Sequence, residues 1–223
     1  MLIYPNIKTY TDCVVACILL LVLSPLMMVI LLSIIVVDRH NPIFVQARSG
    51  KNGLPFNLIK FRTFKTENLK TSKQSQKIAT DSYVTKLGHF LRALSLDELP
   101  QLINVIKSDM SLVGPRPLLI EYMPYYSEEE KQRFNTKPGI TGLAQVNGRN
   151  AISWESKFSF DIEYVNQMNL ILDIQIMIRT FFSLFSHKII YKNVVSTSER
   201  LDMQRKLAHK IPNKLKKVQK NPQ

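Results

Sequence analysis

Asp97 and Glu98 are adjacent carboxylates within the run Ser95-Leu96-Asp97-Glu98-Leu99-Pro100-Gln101. Arg92 precedes them, and Arg116 follows inside Gly114-Pro115-Arg116-Pro117. A carboxylate can attack phosphorus, as it does in enzymes that pass through an aspartyl phosphate. A guanidinium grips phosphate oxygens through two parallel hydrogen bonds. Pro115 and Pro117 stiffen the backbone on either side of Arg116, which lowers the entropy lost on binding. Phosphoryl transfer is therefore one reading of these residues. A plainer one stands beside it. Ser95-x-x-Glu98 has the spacing of a capping box, and acidic residues favour a helix N-terminus. Arg116 suits a structural ion pair equally well.

The elements that must position these groups can be read around them. Leu99, Leu102, Ile103 and Ile106 recur at helical spacing, and Pro100 belongs in a first turn. The spacing predicts a helix that begins between Ser95 and Asp97, where the dipole would keep Asp97 ionised. Upstream, the β-like stretches Pro42–Arg48 and Phe56–Thr63 flank Gly50 and Gly53, which reads as a hairpin. Side chains alternate along a strand, so Lys60 and Arg62 share a face that can meet an anion or simply be solvated. Residues 65–81 are polar and aperiodic and read as a loop or flap, and 83–94 regain a helical pattern. Residues 137–150 hold three of the seven glycines. These are expected to let backbone N–H groups approach a ligand. The segment is not a Walker A loop and lacks the G-x-G-x-x-G spacing. Residues 154–168 read as a helix. Residues 170–185 are apolar but carry Asp173, Gln175 and Arg179, which suits a helix on a membrane surface or under the domain.

Residues 13–37 contain no charged side chain and lie between Asp12 and Asp38-Arg39. As one helix they would run about 37 Å, enough to cross a bilayer. Ser24-Pro25 divides the run almost evenly, and Pro25 cannot donate to Leu21. The Ser24 hydroxyl can satisfy a freed backbone group. Two shapes fit: a kinked helix that spans, or a re-entrant helix that leaves by the face it entered. Arg39 and Arg48 place the globular part in the cytoplasm in either case. Cys13 and Cys17 read as small buried hydrophobes, not as a disulfide or metal pair.

The formal net charge is +13. Residues 186–223 hold ten Lys and Arg against two acidic residues, and the remainder holds twenty against fifteen. Beside a membrane segment, a basic tail favours anionic lipid. Nucleic acid is not expected, because no aromatic residues are interleaved with the tail lysines. The division is 1–40 membrane-inserted, 41–187 catalytic and 188–223 a basic, partly disordered tail.

The blocks Lys60-Phe61-Arg62-Thr63, Arg92-x-x-Ser95-Leu96-Asp97-Glu98-Leu99-x-Gln101-Leu102, Asp109-Met110-Ser111-x-Val113-Gly114-Pro115-Arg116-Pro117 and Lys137-Pro138-Gly139-Ile140-Thr141-Gly142 occur in that order. So does Ala144-Gln145-Val146-Asn147-Gly148-Arg149-Asn150. Together they resemble the bacterial sugar transferases, the small monotopic phosphoglycosyl transferases, over residues 8–185. The Asn150-Ala151-Ile152-Ser153-Trp154 continuation resembles members that act on a diacetylated bacillosamine donor. The resemblance implies an α+β fold: a re-entrant membrane helix broken at Ser24 and Pro25, then a mostly helical cytoplasmic domain with a small hairpin and interfacial helices. It implies that Asp97 is the nucleophile, with Glu98 its catalytic partner. It implies Mg²⁺ held by Asp97, a UDP-sugar and undecaprenyl phosphate as substrates, and the cytoplasmic face of the bacterial inner membrane. Lys60, Arg62, Arg92, Arg116, Gln145 and Arg149 are the candidates for binding phosphate and substrate. A non-enzymatic, membrane-anchored basic scaffold is the contrasting reading. Deleting residues 190–223 is expected to disable the scaffold and spare the enzyme.

Overall fold

The computed structural model describes residues 3–65, 84–148, 151–185 and 201–205. The apolar run forms helix α1, Ile3–Ser33, which passes into a single π turn at Ile34–Asp38. The backbone remains helical through Ser24-Pro25, so the expected break does not interrupt the helix. The reason is local. Pro25 leaves the Leu21 carbonyl without its donor, and Ser24 Oγ donates to that same oxygen at 2.7 Å.

Two strands follow, β1 (Ile43–Ser49) and β2 (Pro55–Phe61), paired antiparallel from Ile43↔Phe61 to Ser49↔Pro55. The hairpin reading of the sequence holds. Helix α2, Lys86–Ala93, is capped by Thr85, whose side chain accepts from Gly88 N. A 3-10 turn at Leu96–Glu98 leads into α3, Gln101–Ile106. Strand β3, Ser111–Val113, pairs in parallel with β4, Gly139–Thr141. Two 3-10 segments, Ile120–Tyr125 and Glu130–Asn135, lie between them in the chain. Helices α4 (Leu143–Val146), α5 (Trp154–Gln167) and α6 (Leu170–Phe185) complete the body.

The parallel pair explains the glycines. A Cβ on Gly139 would lie 2.0 Å from Gly114 N, and one on Gly142 would lie 2.1 Å from Gly114 O. Gly114 N donates to Thr141 O, and Gly139 N donates to Pro115 O. Of the glycines in 137–150, Gly139 therefore spends its N–H on pressing two loops together, not on a ligand as expected. The consequence is that the Pro115-Arg116-Pro117 turn is fastened to a second segment of chain.

The core has three parts. The largest joins Leu58, Leu102, Val105, Met110, Val113, Tyr164 and Ile176 with Ala16 of α1. A second joins Phe61 and Leu91 with Ile30 and Ile34 from the other end of that helix region. The third is aromatic: Tyr122, Tyr126, Phe134 and Phe158, with Leu201. Both ends of the apolar segment therefore pack on the same body. Polar fasteners repeat the pattern. Lys8 Nζ meets Asp173 at 2.5 Å, Ser111 Oγ donates to Asp12 at 2.5 Å, and Thr85 Oγ1 donates to Asp38 at 2.9 Å. The charges that bound the apolar run in sequence are thus its anchor points.

The opposite side of α1 exposes Val14, Ile18, Leu21, Val22, Met28, Val29 and Leu32. Among the described residues, Tyr4–Asp38 is the one helical segment long and apolar enough to cross a membrane. Helix α6 likewise exposes Ile171, Ile174, Ile178, Phe181 and Phe182 while burying Asp173 and Ile176. Cys17 is exposed and Cys13 half-buried, so the expected burial fails for Cys17. The polar segment at 65–81 lies almost wholly outside the described residues. So does the basic tail, apart from 201–205. That piece is not loose: Leu201 is fully buried in the aromatic cluster, and Arg205 pairs with Glu130 at 2.5 Å.

Candidate active site

Ser95 takes a left-handed backbone, φ 57°, and its side chain caps nothing. A helix cap is extended, so this conformation excludes the capping box. Helix α3 starts at Gln101 behind Pro100, and Asp97 and Glu98 project from the preceding 3-10 turn. A 3-10 turn advances about 120° per residue, so the two carboxylates leave it in different directions.

Glu98 is the hub of an ion cluster. Its Oε1 accepts from Lys60 Nζ at 2.6 Å and from Arg116 Nη2 at 3.0 Å. The Glu98 side chain is 15% exposed and that of Arg116 48%. Arg116 therefore faces a small, partly open cleft that Arg48, Leu58, Lys60, Glu98, Gln101 and Gly139 also line. Asp97 is 8% exposed, and its carboxylate accepts no hydrogen bond from another described residue.

The environments drive the two acids apart. Burial pushes Asp97 above the usual carboxylate range; Lys60 opposes this, and the adjacent Glu98 adds to it. Burial would raise Glu98 too, but Arg116 and Lys60 pull it well below that range. Asp97 lies in the 3-10 turn and not at the start of α3, so the helix N-terminus expected to act on it is not placed there. Carboxylates with separated pKa values have separate roles. Glu98 is a fixed negative charge that holds two cations. Asp97 is the carboxylate that no described residue engages by a hydrogen bond, with Lys60, Arg92 and Arg116 near it.

The remaining candidates divide. Arg92, in the last turn of α2, donates from Nε to Thr63 Oγ1 at 2.8 Å and lies close enough to Asp97 to counter its rise. Arg62 is not brought to the cleft: β2 ends at Phe61, and Arg62 turns back to donate to Ile43 O at 3.3 Å. Gln145, on α4, buries both amide atoms without a partner, and its Oε1 lies beside Gly142. It does not line the cleft. Arg149 lies outside the described residues.

Sequence reasoning missed three residues that matter here. Arg48 stands opposite Phe56 and Lys60 opposite Phe44, so both belong to one face of the hairpin, a fact available once the register is set. Arg133 and Asp161 have no local signal. Arg133 is ringed by Tyr126, Phe134 and Phe158, pairs with Asp161 Oδ2 at 2.8 Å, and donates to Arg116 O at 2.7 Å. It holds the backbone of the cleft arginine from behind.

Among the described residues, no three His, Cys, Asp or Glu side chains converge as a metal cage. The arrangement offers instead one available carboxylate beside a surplus of cations. That set can bind a phosphate ester and attack it.

The bacterial sugar transferase family matches residues 3–187. A sugar transferase of Bacillus subtilis (strain 168), EpsL, is 45% identical over 166 residues, covering 74% of this chain and 81% of that protein. ExoY, an exopolysaccharide production protein of Sinorhizobium fredii, is 33% identical and covers 78% and 83%. The UDP-glucose:undecaprenyl-phosphate glucose-1-phosphate transferase of Escherichia coli K12 is 39% identical over 194 residues. The match there covers 83% of this chain and 41% of that longer protein. The site built on Asp97 and Glu98 lies within the matched region, and the chain belongs to the bacterial sugar transferase family.

Proposed function

We propose that the protein transfers a sugar 1-phosphate from a UDP-sugar to undecaprenyl phosphate, releasing UMP and starting a glycoconjugate. The observation that carries this is the buried carboxylate of Asp97, which no described residue hydrogen-bonds, beside the Lys60–Glu98–Arg116 cluster. In the first step an Asp97 oxygen attacks the β-phosphorus. The bond from that phosphorus to the bridging oxygen breaks, and UMP leaves with the electron pair. In the second step an oxygen of the lipid phosphate attacks the same phosphorus and releases Asp97 as carboxylate. One site thus handles two dissimilar substrates in turn. Lys60, Arg92 and Arg116 supply positive charge where phosphate charge develops. Arg62 and Gln145 would act on the substrate only if it reaches beyond the cleft.

The donor set fits Mg²⁺ with Asp97 as protein ligand, because Glu98 is committed to two cations and Mg²⁺ takes one or two carboxylates plus phosphate oxygens. Bound there, the ion would neutralise diphosphate charge. The attachment of α1 at both ends supports a monotopic, re-entrant or surface-lying helix. A helix that crossed about 30 Å of hydrocarbon would put one end beyond reach of the body. The exposed apolar sides of α1 and α6 then meet lipid, with the tail drawn to anionic headgroups on the cytoplasmic face of the inner membrane. For the sugar, the Asn150–Trp154 run favours diacetylbacillosamine, whereas relatives named for glucose and galactose favour a hexose. The non-enzymatic scaffold reading leaves the cation cluster without a purpose.

The test is UMP release by the purified protein with Mg²⁺, undecaprenyl phosphate and a panel of UDP-sugars that includes UDP-glucose, UDP-galactose and UDP-diacetylbacillosamine. Release with one donor, lost in Asp97→Asn, is expected. No release with any donor from folded protein would favour the scaffold.

A further inference from the structure

Two polar side chains in the cleft have no part in the reaction as written. Arg48, on β1, shares the hairpin face of Lys60 and lines the cleft with it. Its Nη2 donates to Gln46 Oε1 at 2.7 Å, but its Nε is buried without an acceptor. Burial and the like charge of Arg116 pull its guanidinium down to about 10. Gln101, in the first turn of α3, is 2% exposed and lines the same cleft. Its carboxamide makes no hydrogen bond to another described residue. Buried polar groups are normally paired, so the orphaned Arg48 Nε, in a side chain that lines the cleft with Gln101, points to a missing polar partner.

The charge count specifies that partner. Arg48, Lys60 and Arg116 bring three positive charges, and Glu98 brings one negative charge. The surplus of two matches a phosphate monoester dianion. Asp97 does not line this cleft; it leaves the neighbouring residue of the same turn in another direction. The two phosphorus atoms of a diphosphate are separated by one bridging oxygen, so a donor attacked by Asp97 can rest its other phosphate here. Resting on the reaction proposed above, we propose that Arg48 and Gln101 form the subsite for the nucleotide-side phosphate, the one that leaves as UMP. As the bridging bond breaks, its electron pair moves onto the UMP oxygen, and the surplus charge stabilises the second negative charge as it forms.

The experiment measures binding of UMP and of uridine to the full purified chain by equilibrium dialysis, for the wild type, Arg48→Met, Arg48→Lys and Gln101→Met. Arg48→Met is expected to weaken UMP binding about tenfold or more and to leave uridine binding unchanged, because a charge-assisted contact is lost. Arg48→Lys keeps the charge without the planar fork and is expected to lose less; it also serves if Arg48→Met fails to fold. Gln101→Met is expected to weaken UMP binding about threefold, the share of one neutral hydrogen bond. UMP binding at wild-type strength in folded Arg48 variants would overturn the subsite, as would an equal loss for uridine. Failure of the wild type to bind UMP would overturn the transfer reaction as well.

Discussion

Two arginine–carboxylate clusters meet at Arg116, one at its backbone and one at its side chain, and they are built to opposite ends. Behind it, Arg133 and Asp161 are closed off: side chains 2% and 4% exposed, an aromatic ring of three residues, and a guanidinium Nη2 that donates to both Asp161 Oδ2 and Arg116 O. One cation meets one anion. In front, Glu98 holds Lys60 and Arg116, and Arg48 adds a further cation. Asp97 stands beside this cluster without a hydrogen bond from another described residue. A pair that only supports the fold is neutral and shielded. A pair that serves chemistry is left in excess, and open on one side.

The sharpest way to break this contrast is Asp97→Asn. Turnover should fall by at least about a thousandfold, because the proposed nucleophile is lost. The thermal midpoint should hold or rise, since a buried charge without a partner is removed. Next is Arg133→Met, which leaves Asp161 buried and unpaired. It should cost about 3–5 kcal/mol in denaturant unfolding, and the surviving folded fraction should turn over more slowly because Arg116 loses its support. Glu98→Gln tests the charge balance. Asp97 is pushed up partly by Glu98, so activity should fall as pH drops through a value above the ordinary carboxylate range. Removing the Glu98 charge lowers the Asp97 value, and the acid limb of the pH–rate profile should move to lower pH. An unmoved limb would mean that Asp97 does not govern it. The smallest effect is at the tail. Removing 206–223 should leave stability unchanged. Removing 190–223 also strips Leu201 from the aromatic cluster and Arg205 from Glu130, and should lower the thermal midpoint. The longer deletion is therefore not the clean separation of enzyme from scaffold that the sequence suggested.

What could be read from the sequence was local. The hairpin, the helix ahead of Arg92 and the stiff turn around Arg116 each follow from short-range pattern and turn chemistry. The start of α3 was misread because Pro100 and the acidic pair resemble a first turn. The left-handed Ser95 that defeats this has no signature in residue type. The glycines of 137–150 were noticed, but their purpose depends on β3 and β4 pairing in parallel across an intervening stretch of chain. Arg133 and Asp161 are 28 residues apart and meet only through the tertiary fold. Arg48 needed only the hairpin register, and alternation along β1 would have found it.

The proposed role of Asp97 is to carry the sugar phosphate between two substrates. The most direct measurement is mass spectrometry of the protein after brief exposure to its UDP-sugar without lipid acceptor, followed by acid quench and peptide mapping. The account predicts a mass increase of one sugar-phosphoryl group on the peptide containing Asp97, discharged by undecaprenyl phosphate and absent in Asp97→Asn. UMP release that requires the lipid, with unmodified protein at every time point, would contradict it and indicate direct transfer between the two substrates.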